Sequence, residues 1–542
     1  MEKEEEMWLF CTLFPEQHKF EKDTLINFWM ARGLIENDDY KKLIRDSYFD
    51  ALVAEGCIEL TNKCFPSGES MYKVNAEKMK SFTKTGRVKL YHQGNASDPH
   101  LTDNIPTNLE NLSLVCQDID QSIFDQFKQL KNLKSLLLFH QTSKASKIIR
   151  IPYKIFYNLK HLQVLDLSEI CIENLPSTIG EAKELRYLDL SYSLIELLPE
   201  TIDCLKNLVT LKLKGCVRLY RLPEGIVKLT ALRHLDLNVL GQLSFLPKNM
   251  GKLTSLETLS AFLIDNGEDR RISQLKNMNN LQGSFCISNL ERVSSGMEAK
   301  DAALIEKANI KKLELRWSMP RLTESKEQLR DYEVLEQLHP PSSLEDLEIS
   351  GYSGLKFPDW IGDYKVLHLI VNITLVTCVY TMLLPSLGEL PFLRNLHLID
   401  MKRVKSIDAE FRGDVNIAFP ALERLTIVGM SRLETWTDVK EVDFPRLCKL
   451  VIEHCPKLIA LPSLSYFHSL KQLEISQCPK LSSWSKTSFP SSLKMLIVEN
   501  CPSFKRRFRK PNNKDQMKIM HVHNVWIDHE ETANLNAATQ VL

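Results

Sequence analysis

Cysteine and histidine are the residues of this chain best equipped for chemistry. There are thirteen cysteines and fourteen histidines in 542 residues; both types bind soft metals, and thiols also serve as nucleophiles or redox pairs. Their spacing argues against each use. No two cysteines form a CxxC pair, and no histidines recur beside them at zinc-site intervals. Instead Cys216, Cys455, Cys478 and Cys501 each fall three residues after the last apolar position of a short leucine-rich phrase. A small side chain there can bond turn backbone inside a stack of coils, which is a structural use. Other chemistry has less to rest on. The sequence contains no GxSxG, no HExxH and no GxxxxGK[ST], and its one Gly-Lys pair, Gly251-Lys252, is followed by leucine. Nucleophile elbow, zinc-protease helix and phosphate-cradling loop are thus missing from it. The expectation is a chain that is not an enzyme and that holds no metal and no cofactor of its own.

The elements that place those cysteines are repeats. From about Leu109 onward the phrase LxxLxL recurs, clearest at Leu162, Leu185, Leu208 and Leu232, with starts 23, 23 and 24 residues apart. That spacing falls within the roughly 20 to 29 residues of a leucine-rich repeat. The phrase alternates as a strand with one buried face should, so Leu185, Leu188 and Leu190 are expected to point inward and Arg186, Tyr187, Asp189 and Ser191 outward. Between phrases, leucine-proline steps such as LPSTIGEAKE and LPETIDCLKN turn the chain back. One coil cannot bury its leucines alone; stacking stabilises each fully buried leucine by roughly 1.5 to 3 kcal/mol. The expected fold is α/β, a leucine-rich-repeat solenoid over 109–504 with a parallel β-sheet on its concave side.

Residues 1–85 lack the repeat. Asp23 can cap a helix running through Trp29 and Met30 to Arg32, with Gly33 ending it in the left-handed conformation. A second helix is expected from Asp39 to Glu55, with Tyr48, Phe49, Leu52 and Val53 on one face and Gly56 as its stop. CIEL and MYKV then read as two strands joined across Pro66, Ser67 and Gly68, which completes a small winged-helix module. A single arginine in NFWMARG is too little positive charge for DNA, so packing between domains is the expected use. Residues 86–108 read as a linker and 505–542 as a C-terminal cap and tail. The basic run Lys505, Arg506, Arg507, Arg509 and Lys510 is read as a solvated cap in preference to a targeting signal. With 69 basic and 69 acidic residues, no global field favours nucleic acid or an anionic membrane. The acidic start MEKEEEMWLF does not look like a secretory signal, so a cytoplasmic setting is expected, with a nuclear one as alternative.

Longer matches now accumulate. WLFCTLFPEQHKFEKDTLINFWMARGLIE, from Trp8, resembles the winged-helix part of plant nucleotide-binding leucine-rich-repeat disease-resistance proteins of the coiled-coil class. The stretches Ile272 to Trp317, Ser342 to Gly362 and Cys501 to Asp528 are similar to later parts of that family. The resemblance implies an ADP/ATP switch whose core is absent from this sequence and would have to act in trans. It also implies a methionine-histidine-aspartate motif at the end of the winged helix, whose histidine approaches the ADP phosphates. The matching residues are Val74, Asn75 and Ala76. Asparagine carries no positive charge and alanine removes the carboxylate, so nucleotide should be held poorly here.

The resemblance further implies a protein ligand, either a pathogen effector or a modified host protein, held on the concave face. The variable strand positions supply the candidates. In the first half these are Arg186, Tyr187, Asp189, Arg233, His234 and Asp236. Further along come Lys312, Glu314 and Arg316, then Arg394, Asn395, His397 and Arg424, and finally Lys471, Gln472 and Glu474. Arginine and aromatic positions weigh most, because they dominate interface energetics. Rival readings are an intracellular repeat scaffold and a truncated, non-signalling relic of a resistance gene. One feature competes with any soluble reading: VLHLIVNITLVTCVYTMLL, Val366 to Leu384, is long enough for a membrane span. A hidden repeat starting at Ile370 fits better. It places Ile370, Ile373, Leu375 and Cys378 at template positions and makes Cys378 a fifth member of the cysteine set.

Overall fold

The structure is a computed structural model that describes residues 2–35, 42–63, 70–79, 88–93, 105–116, 124, 127–140, 150–237, 241–318, 325–481, 489–508, 521–528 and 530–531. Its contacts divide it into two units, Met1–Ala261 and Phe262–Leu542.

The first unit opens with the winged helix: α-helices Glu2–Cys11, Lys22–Ala31 and Lys42–Ala54, with strands Phe20–Glu21, Ile58–Lys63 and Ser70–Val74. The strands form an antiparallel sheet with Ser70–Val74 in the middle. The expected elements are there, with one shift. The helix carrying Trp29 starts at Lys22 behind Glu21, which makes no side-chain cap bond, so Asp23 sits inside the first turn and caps nothing. Pairing of Phe20–Glu21 with the central strand sets that earlier start. Gly33 and Gly56 end their helices at φ +70° and +69°, where a Cβ would be strained. Phe49 and Leu52 are fully buried. The start of the second helix at Asp39 and the loop at Pro66, Ser67 and Gly68 lie outside the described residues.

An eight-stranded parallel sheet follows, from Val88–Gln93 to Thr258–Leu259. Val88–Gln93 pairs in parallel with Asn111–Cys116, so part of the 86–108 segment read as linker belongs to the sheet. Leu185, Leu188 and Leu190 point inward and are fully buried. The leucine-proline steps act as expected. Pro176, Pro199 and Pro223, near φ −65°, each precede a one-turn 3-10 helix whose Ile179, Ile202 or Ile226 is buried.

The second unit carries a twelve-stranded sheet whose successive repeat strands run parallel; the last strand, Glu530–Glu531, turns back antiparallel. Within the apolar run, Asn372–Val376 is a strand in register between Asp346–Ser350 and Asn395–Ile399. Ile370, Ile373, Leu375 and Cys378 are all buried. Among the described residues no helix is long and apolar enough to cross a membrane. Near the end, helix Pro502–Phe508 brings Lys505 onto the carboxylate of Asp528. Of the basic run, Arg509 and Lys510 lie outside the described residues.

Candidate protein-interaction surfaces

Each repeat strand buries its leucines and turns alternate side chains to the other face of the sheet. In the first unit much of that other face is covered. Tyr187, Asp189 and Ser191, expected to face solvent, are buried; the winged helix packs on Tyr187 and brings His18 near Asp189. Phe28 meets the Tyr187 ring edge-on at 4.5 Å between centroids, and one apolar cluster runs from the winged helix into Val115, Leu137, Phe139, Val164 and Tyr187. Polar ties frame it. Arg32 Nη1 donates to Gln163 Oε1 at 2.7 Å, Lys212 Nζ donates to Thr24 Oγ1 at 2.9 Å, and Lys214 pairs with Glu21 at 3.1 Å. Arg186 stays half-exposed beside Gly33. Tyr187 and Asp189 are therefore internal contacts, and a partner cannot reach them while the helix is docked.

Beneath that cover lies an unusual electrostatic feature. Asp166 and Asp189 are register neighbours on adjacent parallel strands, and both are buried. Asp166 accepts from the Ser168 amide at 2.9 Å; Asp189 accepts from the Ser191 amide at 2.9 Å and from Tyr187 Oη at 2.9 Å. Burial, and then the charge of Asp189, push the Asp166 carboxyl up to about 7. The same burial lowers His18 to about 4, so it stays neutral above that pH. Beyond the covered strands, Arg233 pairs with Glu257 at 2.7 Å, His234 Nδ1 lies 3.0 Å from Thr258 Oγ1, and Asp236 accepts from Ser260 at 2.8 Å. These three candidates are half-buried and already bonded to the next strand.

Val74, Asn75 and Ala76 come together as the end of one strand and the start of helix Ala76–Met79. The Val74 side chain is buried. Asn75 Nδ2 donates to Glu59 Oε1 at 2.8 Å, and its Oδ1 accepts from the Lys78 amide at 3.3 Å. The neighbouring cations are engaged as well: Lys73 pairs with Glu59 at 3.2 Å, and Lys78 Nζ donates to the Glu55 carbonyl. A nucleotide phosphate would meet a carboxylate and an amide already committed, so these residues do not fit it.

In the second unit the polar face of the sheet meets no packed element comparable to the winged helix among the described residues. Its candidates divide by what they already bond. Lys312 pairs with Glu314 at 2.9 Å, and Arg316 joins Glu314 at 2.7 Å and Glu348 at 3.4 Å. Asn395 donates to Asn372, which donates to Asp346, at 2.7 and 3.2 Å. On the far side Lys449 and Gln472 both reach Glu474. Arg394 approaches Glu423 at 4.0 Å, while Arg424 and Lys471 are exposed. His397 is half-buried and shifted down, first by burial and then by Arg424, so it is neutral. Two residues between these networks went unread in the sequence, Thr426 and Val428. They sit on the same face as Arg424, and nothing but strand alternation signals them.

The cysteine set is internal. Cys216, Cys378, Cys455, Cys478 and Cys501 are buried, and each follows a strand by a turn. Thr377, His454, Gln477 and Asn500, just ahead of four of them, have φ between +51° and +56°. The thiols bond turn backbone: Cys216 Sγ donates to the Leu190 carbonyl at 3.1 Å, and Cys478 Sγ to that of Ser476 at 3.2 Å. Burial pushes Cys378 up to about 12, and a bond with Cys455 does the same to Cys478. Among the described residues no cluster of histidine, cysteine and carboxylate could hold a metal.

Residues 13–76 match the family model described as the disease resistance protein winged helix domain, and residues 272–401 match that of the R13L1/DRL21 leucine-rich repeats. A putative disease resistance protein, RGA4, of Solanum bulbocastanum is 30% identical over 482 residues, covering 85% of this chain and 43% of that protein. A putative disease resistance RPP13-like protein 1 of Arabidopsis thaliana is 29% identical over 508 residues, covering 85% of this chain and 45% of its own. The chain thus spans less than half the length of these relatives. A solved leucine-rich-repeat protein of Leptospira interrogans aligns over 78% of this chain and 90% of its own, at 20% identity and a TM-score of 0.44.

Proposed function

The chain belongs to the plant disease-resistance family that joins a winged helix to leucine-rich repeats, and we propose that its repeats recognise a protein ligand, a pathogen effector or a modified host protein. In this reading the winged helix closes the face of the early repeats, and the ligand takes the face of the second unit. One observation carries it. Tyr187 and Asp189 in the first unit are buried under Phe28 and its neighbours, whereas the equivalent face from Asn372 to Glu453 has only half-buried and exposed side chains. A preformed sheet of this kind binds without paying to order itself.

The rest of the proposal follows from chemistry. In this reading the repeats and winged helix bind and do not catalyse, and any nucleotide sensing rests on a nucleotide-binding core and not on Asn75, which is committed to Glu59. The reading needs no membrane span and no specific nucleic acid. The setting is cytoplasmic, which suits buried free thiols. The test is split-luciferase association in leaf tissue between the full chain and a panel of secreted pathogen proteins and their host targets. The expected result is an association lost on His397→Glu and kept on Arg186→Ala. Associations indifferent to every substitution on the second unit's sheet would overturn the reading.

A further inference from the structure

Resting on that reading, we infer that the ligand is gripped at one place, the uncharged stretch of the second unit's sheet ending at Val428, by an apolar anchor and a carboxylate about four residues apart. The charged candidates on either side are spent on each other. Lys312 and Arg316 are locked on Glu314, with Glu348 on Arg316, and Lys449 is locked to Glu474. A partner covering those pairs must desolvate them for little return. Between them the middle row of the face reads Thr374, His397, Thr426 and Val451, with register neighbours on four consecutive strands. The next row reads Val376, Ile399 and Val428. None of these side chains is ionised, since His397 is neutral, and all are half-buried, so covering them is cheap and favourable.

Two features beside this stretch define the occupant. Val428 is also a wall of a cavity of about 940 Å³ that continues past the strand ends over Gly429, His454, Pro456 and Pro479. An apolar side chain that crosses Val428 has room to enter, the arrangement in which interface hot spots form. At the other end of the same strand Arg424 is exposed, and its guanidinium makes no hydrogen bond or ion pair among the described residues. It is available to a ligand carboxylate. Arg424 and Val428 are four strand positions apart, about 13 Å at 3.3 Å per residue. An extended ligand segment lying along the strand therefore places its acid four residues from its anchor. Asp400 and Glu453 stand at the Val428 end, so a second acid beyond the anchor is disfavoured.

Panning a random twelve-residue peptide display library on the full-length chain tests this. The wild type should enrich peptides with an aliphatic or aromatic residue four positions from an aspartate or glutamate. Arg424→Glu should change the enriched charge from acidic to basic. Thr426→Arg should reduce binding of the selected peptides by about tenfold or more, and Lys183→Ala, an exposed position in the first unit, should leave it within about twofold. Enriched peptides that bind Thr426→Arg as well as wild type, or that keep an acidic preference on Arg424→Glu, would overturn the placement and leave protein recognition by the repeats standing. Failure of every bait to enrich any peptide over uncoated support would count against both.

Discussion

Replacing Asp166 by asparagine should change how tightly the face under the winged helix is held, in a pH-dependent way. Asp166 is buried with Asp189 as its register neighbour; Tyr187 and Lys212 lie on the adjoining strands, and His18, Glu21 and Thr24 reach in from the winged helix. His18 is neutral above about pH 4, so it offers no cation to offset the pair. With a folded-state value of about 7, Asp166 holds its proton where the unfolded chain has lost it. Its contribution is fully present below the unfolded value near 4 and is lost as pH rises through about 7. Three pKa units correspond to about 4 kcal/mol as an upper figure. Asparagine keeps an oxygen to accept the Ser168 amide and removes the charge. The assay is hydrogen exchange on the full chain between pH 5 and 8, corrected for intrinsic rate, in peptides covering Val164–Asp189. Wild type should lose protection across that window while the asparagine variant holds level and exceeds it at pH 8. Parallel protection curves for the two proteins would refute the reasoning.

Other outcomes follow from buried charges and thiols. Asp443 accepts from Arg412 Nε at 2.9 Å and Nη2 at 3.1 Å, and from the amides of Ala418 and Lys440 at 2.9 and 2.8 Å. Asp443→Ala leaves Arg412 buried and unpaired, and should cost about 3–5 kcal/mol in local exchange around 409–444, with Arg412→Met/Asp443→Leu recovering much of it. Lys307 is fully buried, bonded to the Leu275 carbonyl at 2.8 Å, and shifted down to about 8 by burial. Its charged form opposes folding, so wild-type stability should rise as pH climbs from about 8 to 10.4, and Lys307→Met should be the more stable protein at pH 7 by about 2 kcal/mol in urea. Iodoacetamide should label Cys204, which is exposed, well before Cys378 or Cys478; equal rates in the native protein would contradict the internal role of the cysteine set.

The repeats could be read from sequence because the LxxLxL period reports burial directly, and it located even the strand hidden in the apolar run at Ile370. Val88–Gln93 escaped because VKLYHQ carries a single leucine, so the LxxLxL phrase does not mark it. The outward positions were harder. Alternation tells which face Tyr187 occupies but not what covers that face, and Phe28 lies 159 residues earlier in the chain. Weighting arginine and aromatic residues drew attention to Arg316, whose charge Glu314 and Glu348 satisfy, and away from Thr426 and Val428. Intra-sheet pairing depends on which residues fall in register, and register between coils 23 to 34 residues apart is a tertiary fact. Asp23 failed as a cap for a similar reason, since pairing with a distant strand moved the helix start.

The claim that the winged helix closes the early face of the repeats can be tested within one protein by residue-resolved hydroxyl-radical footprinting. Tyr187 is 0% exposed and Tyr192, five residues on, is 54% exposed. The account predicts that Tyr192 is oxidised readily while Tyr187 is protected as fully as the inward-facing Leu188. Oxidation of Tyr187 at the rate of Tyr192 would mean that the face is open, and would contradict the account.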